Sequence, residues 1–115
     1  MNLCVKMNNI LFVCSANKQR SKTAEDYFGT IYPDKNFLSA GTNLKVCAKE
    51  GTEPLTEDLL QWADIVFVME NKHSKLIKEA TSNKYFNKIV VLNIEDVYKY
   101  YQKELINILK EKIKL

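Results

Sequence analysis

The sequence predicts an α/β fold: one domain over residues 1–115, with a four-stranded parallel sheet flanked by helices on both faces. Two observations carry this expectation. Short apolar runs alternate with stretches of helical spacing along the whole chain. The runs are apolar throughout rather than at every second residue, as strands covered on both faces require. The length bounds the result: 115 residues suffice for one core and are too few for two.

Each element has its own signal. Residues 9–13 read as a buried strand. Residues 21–32 read as a helix, with Ala24, Tyr27, Phe28 and Ile31 at helical spacing and Pro33 and Asp34 as its stop. A short strand over 36–40 ends at Gly41. Residues 43–54 look irregular. Thr56 caps a helix whose first turn carries Glu57 and Asp58. Residues 64–69 form a strand, 71–82 a polar helix, and 88–92 a strand. Residues 93–99 form a loop, and 100–113 the last helix, with Leu105, Ile106, Leu109 and Ile113 as its core face.

Composition excludes several classes. The chain is 46% hydrophobic and 27% charged, an ordinary globular mix. Its apolar runs reach about five residues, against the roughly 20 of a membrane helix, and residues 1–10 carry no secretory pattern. The net charge of +3 comes from scattered lysines, which reads as solvated helix faces rather than a nucleic-acid stripe. Three cysteines without paired spacing argue against a disulfide framework and for a reducing, cytoplasmic compartment. His73, the sole histidine, has no ligand cluster around it and is expected to be exposed at the start of a helix. No metal is expected.

The stretch ILFVCSANKQRSKTAE (residues 10–25) carries the chemistry. A strand enters, a tight loop turns, and a helix leaves at Ser21. Backbone N–H groups of such a loop converge on one point, and the helix N-terminus adds partial positive charge. Cys14 stands at the rim, where the same field favours its thiolate and makes it a nucleophile. Arg20, the sole arginine of the chain, stands at the far end of the loop. A guanidinium grips two phosphate oxygens at once, as an ammonium does not. The plain alternative is a small buried cysteine and a surface arginine.

Cys14-Ser-Ala-Asn-Lys-Gln-Arg20-Ser21 resembles the C-x5-R-S phosphate loop of the low-molecular-weight protein tyrosine phosphatases. Thr23-Ala24-Glu25 resembles the start of that family's first helix, and Ser39-Ala40-Gly41-Thr42 its second-strand motif. Residues 63–69 resemble its third strand, and Asp96-Val97-Tyr98 its Asp-Pro-Tyr segment. The resemblance implies a phosphomonoester hydrolase acting on phosphotyrosine protein or a small aryl phosphate, without cofactor, nucleic acid or membrane. It implies that Cys14 attacks phosphorus to form a cysteinyl-phosphate. Arg20 and the backbone of Ser15, Ala16, Asn17, Lys18, Gln19 and Arg20 hold the equatorial oxygens. Asp96 protonates the leaving group and then activates water. Ser21 donates to the Cys14 thiolate. Asn17 holds a left-handed turn, Ser39 braces Asn17, and Tyr98 lines the pocket mouth.

Several positions depart from the family pattern. Val97 stands where proline is expected, and residues 42–55 hold no aromatic residue to wall a phosphotyrosine ring. Tyr98, Tyr100 and Tyr101 either supply that wall or form the packing edge of the last helix. Glu95 rivals Asp96 as the acid. Gln19 stands where many members have a second cysteine that can trap an oxidised nucleophile, which leaves Cys14 open to irreversible oxidation unless Cys4 or Cys47 approaches. Two other readings follow. A thiol-linked arsenate reductase of the same fold would use Cys47 or Cys4, although residues 70–92 hold no cysteine; both read better as plain thiols. A phosphate- or phosphopeptide-binding module would keep the loop without efficient turnover. Fold alone does not choose among them, and the oligomeric state is not legible.

Overall fold

Alternation along the first strand decides the layering. In a computed structural model, which describes residues 8–115, strand β1 (Asn9–Cys14) sends Ile10, Phe12 and Cys14 into one apolar cluster and Leu11 and Val13 into another. All five are buried, so β1 has no solvent face. Strands β2 (Asn36–Gly41) and β3 (Ile65–Val68) flank it in parallel, and β4 (Ile89–Val91) pairs in parallel with β3. The order is β2-β1-β3-β4. The chain therefore reverses its direction of travel across the sheet at β1, and a crevice opens beyond the carboxyl ends of β1 and β3.

Helices α1 (Arg20–Ile31) and α5 (Lys103–Lys112) bring Ala24, Phe28, Leu105 and Leu109 to the first cluster. Phe12 is its centre, with its ring centroid 5.8 Å from those of both Phe28 and Phe67. On the other face, α3 (Glu57–Trp62) and α4 (Asn71–Ala80) contribute Leu60 and Ile77. Thr56 caps α3 as expected, its side chain accepting from the Leu59 N–H.

Two elements differ from the sequence reading. Residues 43–54 are not irregular: α2 (Leu44–Glu50) lies there, giving five α-helices among the described residues rather than four. The Asn43 side chain caps it by accepting from the Val46 N–H, and Gly51, at φ +71°, closes it. The last helix begins at Lys103 rather than residue 100, because Tyr101 takes φ +60°, which an α-helix does not admit. Among the described residues no helix is long and apolar enough to cross a membrane. Cys4 lies outside the described residues.

Candidate active site

The strand-to-helix turn after β1 is built by turning its carbonyls outward. Cys14 O accepts from Thr42 N at 2.9 Å, Ser15 O from Asn43 N at 2.9 Å, and Ala16 O from Thr52 Oγ1 at 2.5 Å. The segment after β2 thus holds three successive carbonyls. Asn17 takes φ +53° and bends the loop back toward α1. Among the described residues no protein acceptor takes the N–H groups of residues 15 to 19. Unpartnered N–H groups before a helix N-terminus are a donor set suited to an anion.

Side chains under the loop fix this shape. Asn17 donates through Nδ2 to Ser21 Oγ (2.9 Å) and Ser39 Oγ (2.7 Å), and accepts through Oδ1 from Glu53 N (3.1 Å). Ser39 Oγ donates a hydrogen bond to Glu25 Oε1 at 2.5 Å. Because Ser21 Oγ already accepts from Asn17, its proton is free for Cys14 Sγ, 3.0 Å away. Ser39 therefore stands beside Asn17, and Ser21 beside Cys14. Glu25, part of the Thr23-Ala24-Glu25 segment, and Glu53, which has no sequence signal of its own, complete the network.

Arg20 is 2% exposed, so it is not a surface charge. Its Nη1 donates to Glu70 Oε2 (2.5 Å) and to Ile94 O (2.8 Å), and its Nε lies 3.6 Å from Asp96 Oδ1. No hydrogen bond runs from Nη2 to the protein among the described residues. The Arg20 hydrogen bond holds the Glu70 carboxyl below its ordinary value, against a smaller opposing effect of burial. Of the two neighbouring carboxylates, Asp96 is the one in contact with Arg20. Asp96 itself is 57% exposed and open to a ligand.

His73 is corrected by the structure. It is fully buried, not exposed. Its Nδ1 accepts from Glu70 N at 3.0 Å, so Nε2 carries the ring proton and meets Ser15 Oγ at 2.9 Å. Burial, and then the Arg20 charge, lower its pKa to about 4. A neutral imidazole thus joins the N-terminus of α4 to the Cys14 loop. A lone histidine three residues after Glu70 carries no sequence signal for this. Cys47 is also buried, with Sγ 3.6 Å from Ala16 O and 3.9 Å from Ser15 O, so it packs beneath the loop.

The tyrosines divide. Tyr98 is half-buried against the first apolar cluster. The Tyr100 hydroxyl donates to Asp26, which raises it to about 12, and Tyr101 N donates to Thr23 Oγ1 at 2.8 Å. Both therefore pin the end of the 93–99 loop to α1. The cavity beside Ser15 and His73, about 430 Å³, takes its walls from Leu44 and Leu76 instead. No group of three or more His, Cys, Asp or Glu among the described residues could hold a metal.

No family model matches the chain, and no curated protein matches it. Solved structures do. The fold is that of the low-molecular-weight protein tyrosine phosphatases, which are phosphoric monoester hydrolases: a member from Bacillus subtilis aligns with a TM-score of 0.69 at 24% identity, over 90% of this chain and 93% of that one. More particularly, the tyrosine phosphatase AmsI of Erwinia amylovora aligns at 0.73 and 25% identity, over 96% of this chain and 93% of that one. The YwlE arginine phosphatase, solved as a mutant with a phosphorylated active-site serine, aligns at 0.69 and 25%, over 90% and 91%.

Proposed function

We propose that residues 1–115 act as one domain, a phosphomonoester hydrolase of phosphotyrosine in proteins or of a small aryl phosphate. One observation carries the reading: the Asp96 carboxylate lies 3.6 Å from the guanidinium that ends the Cys14 loop. A nucleophile, an oxyanion clamp and a proton donor then face one hollow, from segments more than 70 residues apart in sequence.

Cys14 Sγ attacks phosphorus in line, with Ser21 stabilising the thiolate. The N–H groups of residues 15–20 and Arg20 Nη2 hold the equatorial oxygens as charge spreads over them. Asp96 gives its proton to the leaving phenolate, then takes one from the water that cleaves the cysteinyl-phosphate. Tyr98 lines the mouth on the acid-loop side. Side chains and backbone perform every step. A reducing cytoplasm suits this chemistry, because Cys14 and Cys47 are both free thiols.

The test is hydrolysis of para-nitrophenyl phosphate across pH by the wild type, Cys14→Ser and Asp96→Asn. Turnover should vanish in Cys14→Ser and fall by roughly 10²- to 10³-fold in Asp96→Asn. Phosphoarginine, run in parallel, separates the chemistry named for AmsI from that named for YwlE. Vanadate binding without turnover would replace this reading with a binding module. Arsenate turnover that depends on Cys47 would replace it with a reductase.

A further inference from the structure

The loop residue Ser15 also borders a cavity. The 430 Å³ cavity beside it is bordered by Lys45 of α2 and Lys72 of α4, with no carboxylate in its lining. Lys45 has no ion-pair partner among the described residues, and the Lys72 amine, 60% exposed, lies 3.7 Å from a Glu70 carboxylate already committed to Arg20. Beyond the lysines stand Leu44 and Leu76, 60% and 51% exposed, which is unusual for two leucines bordering one cavity. The same pair, with Thr42, also borders a second trough of about 310 Å³ between α3 and α4, whose floor is Leu55, Leu60, Ile77 and Ala80. Its one carboxylate, Glu57, is tied to Lys84 (2.8 Å) and the Tyr85 hydroxyl (2.7 Å). The surface leading away from the phosphate loop is therefore a continuous groove, basic first and apolar next.

We propose that this groove binds the chain flanking the phosphorylated residue, and that the preferred substrate is an extended phosphopeptide with an acidic side chain next to the phosphotyrosine and a large apolar side chain beyond it. The inference rests on the phosphatase reading above and names the substrate class of that site. Lys45 and Lys72 complement the acidic residue, and the methylenes of a glutamate lie against Leu44 and Leu76. The next apolar side chain fills the α3–α4 trough, where burial removes both it and the exposed leucines from water. Continuity with the phosphate loop fixes where the peptide must start, and the charge of the rim fixes the sign of its first neighbour.

Phosphotyrosyl peptides that differ only at the two flanking positions (Glu-Leu, Glu-Ala, Lys-Leu and Lys-Ala, made on either side of the phosphotyrosine) test this. Each kcat/KM is taken relative to the same variant's turnover of para-nitrophenyl phosphate. On one side of the phosphotyrosine, Glu-Leu should exceed Lys-Ala by roughly 10-fold or more, and 0.5 M salt should shrink the charge part of that preference. Lys45→Glu/Lys72→Glu should reverse the preference for glutamate over lysine. Leu44→Ala/Leu76→Ala should remove the preference for leucine and leave the charge preference. Equal turnover of all peptides on both sides, or a charge preference unchanged in the double lysine variant, overturns the groove. If the wild type turns over no aryl phosphate, the phosphatase reading fails instead. Fluorescence polarisation with the same peptides then still reads the groove: tighter Glu-Leu binding upholds it, and equal binding overturns it.

Discussion

Arg20 is a buried structural charge as well as the clamp of the proposed chemistry. Its charge is buried, and the Glu70 carboxylate is the strongest partner that keeps it there. Removing one partner of a buried pair leaves the other uncompensated. Glu70 is 29% exposed, so the loss is partly screened by water. Glu70→Gln should cost about 2 kcal/mol in urea unfolding and lower kcat/KM on an aryl phosphate, because the guanidinium is no longer aimed. An unchanged unfolding midpoint would mean that Ile94 O and Asp96 suffice to hold Arg20. His73 gives a second expectation, with a definite sign. Its folded pKa of about 4 lies below the ordinary 6.5, so the unfolded chain binds more protons between those values. Stability is then fully present above about pH 6.5 and falls as pH drops toward 4, by about 3 kcal/mol in total at roughly 1.4 kcal/mol per pH decade. Glu70, also held below its ordinary value, loses its contribution in the same direction, at the acid end. Urea midpoints of the wild type and His73→Gln between pH 4 and 7 check this: the variant's slope between 4 and 6.5 should be shallower.

At the scale of elements, the approach of β2 to the phosphate loop depends on Gly41. A Cβ there would meet Ser15 O at 2.5 Å, Cys47 Sγ at 2.6 Å and Ala16 C at 3.0 Å. Two of the three are loop backbone, which cannot rotate away. Gly41→Ala should therefore displace the loop, destabilise the protein by about 2–3 kcal/mol and abolish most turnover. Adding Cys47→Ala should restore only part of either, since the backbone clash remains; full rescue would show that the thiol alone sets the spacing. The same region shows what the sequence hides. Strands β1, β3 and β4 were legible as runs of apolar residues, β2 (NFLSAG) as a short segment closed by Gly41, and the α3 cap because Thr56 precedes two acids. Helix α2 was missed because LKVCAKE is too short to show an apolar stripe and buries only Cys47. Its signal was in the ends: Asn43 as cap and Gly51 as terminator, seven residues of helix between them. Asn43→Ala should lower stability by about 1 kcal/mol. His73 was misread for a related reason. The start of α4 is polar, and Asn71 and Lys72 do face water, but His73 is buried because its ring docks on Ser15 of the Cys14 loop.

The molecule as a whole makes the site a meeting point of all four strand ends. Cys14 leaves β1, Thr42 and Asn43 follow β2, Glu70 and His73 follow β3, and Ile94 and Asp96 follow β4. The Cys14 loop with its arginine was readable as a local pattern. As partners of that loop, Ser39 and Asp96 were named only through the resemblance, and Glu70, His73 and Ile94 not at all, because they come from segments joined only by the parallel sheet. Such a site couples ligand to fold. An oxyanion that fills the loop binds the native state and not the unfolded chain, which lacks the converging N–H groups. At 100 times its dissociation constant, phosphate or vanadate should add about 2.7 kcal/mol to unfolding, a rise in Tm of roughly 10 °C for a domain of this size. Cys14→Ser keeps the N–H groups and Arg20, so its shift with phosphate should persist. Arg20→Lys keeps a charge but loses the planar fork and the contacts to Glu70 and Ile94, so its shift should fall by more than half at the same phosphate concentration. Thermal unfolding of the three proteins, with and without phosphate, separates the clamp from the nucleophile. A wild-type Tm that ignores both anions would mean that the loop, however well braced by Asn17 and Ser39, does not receive phosphate.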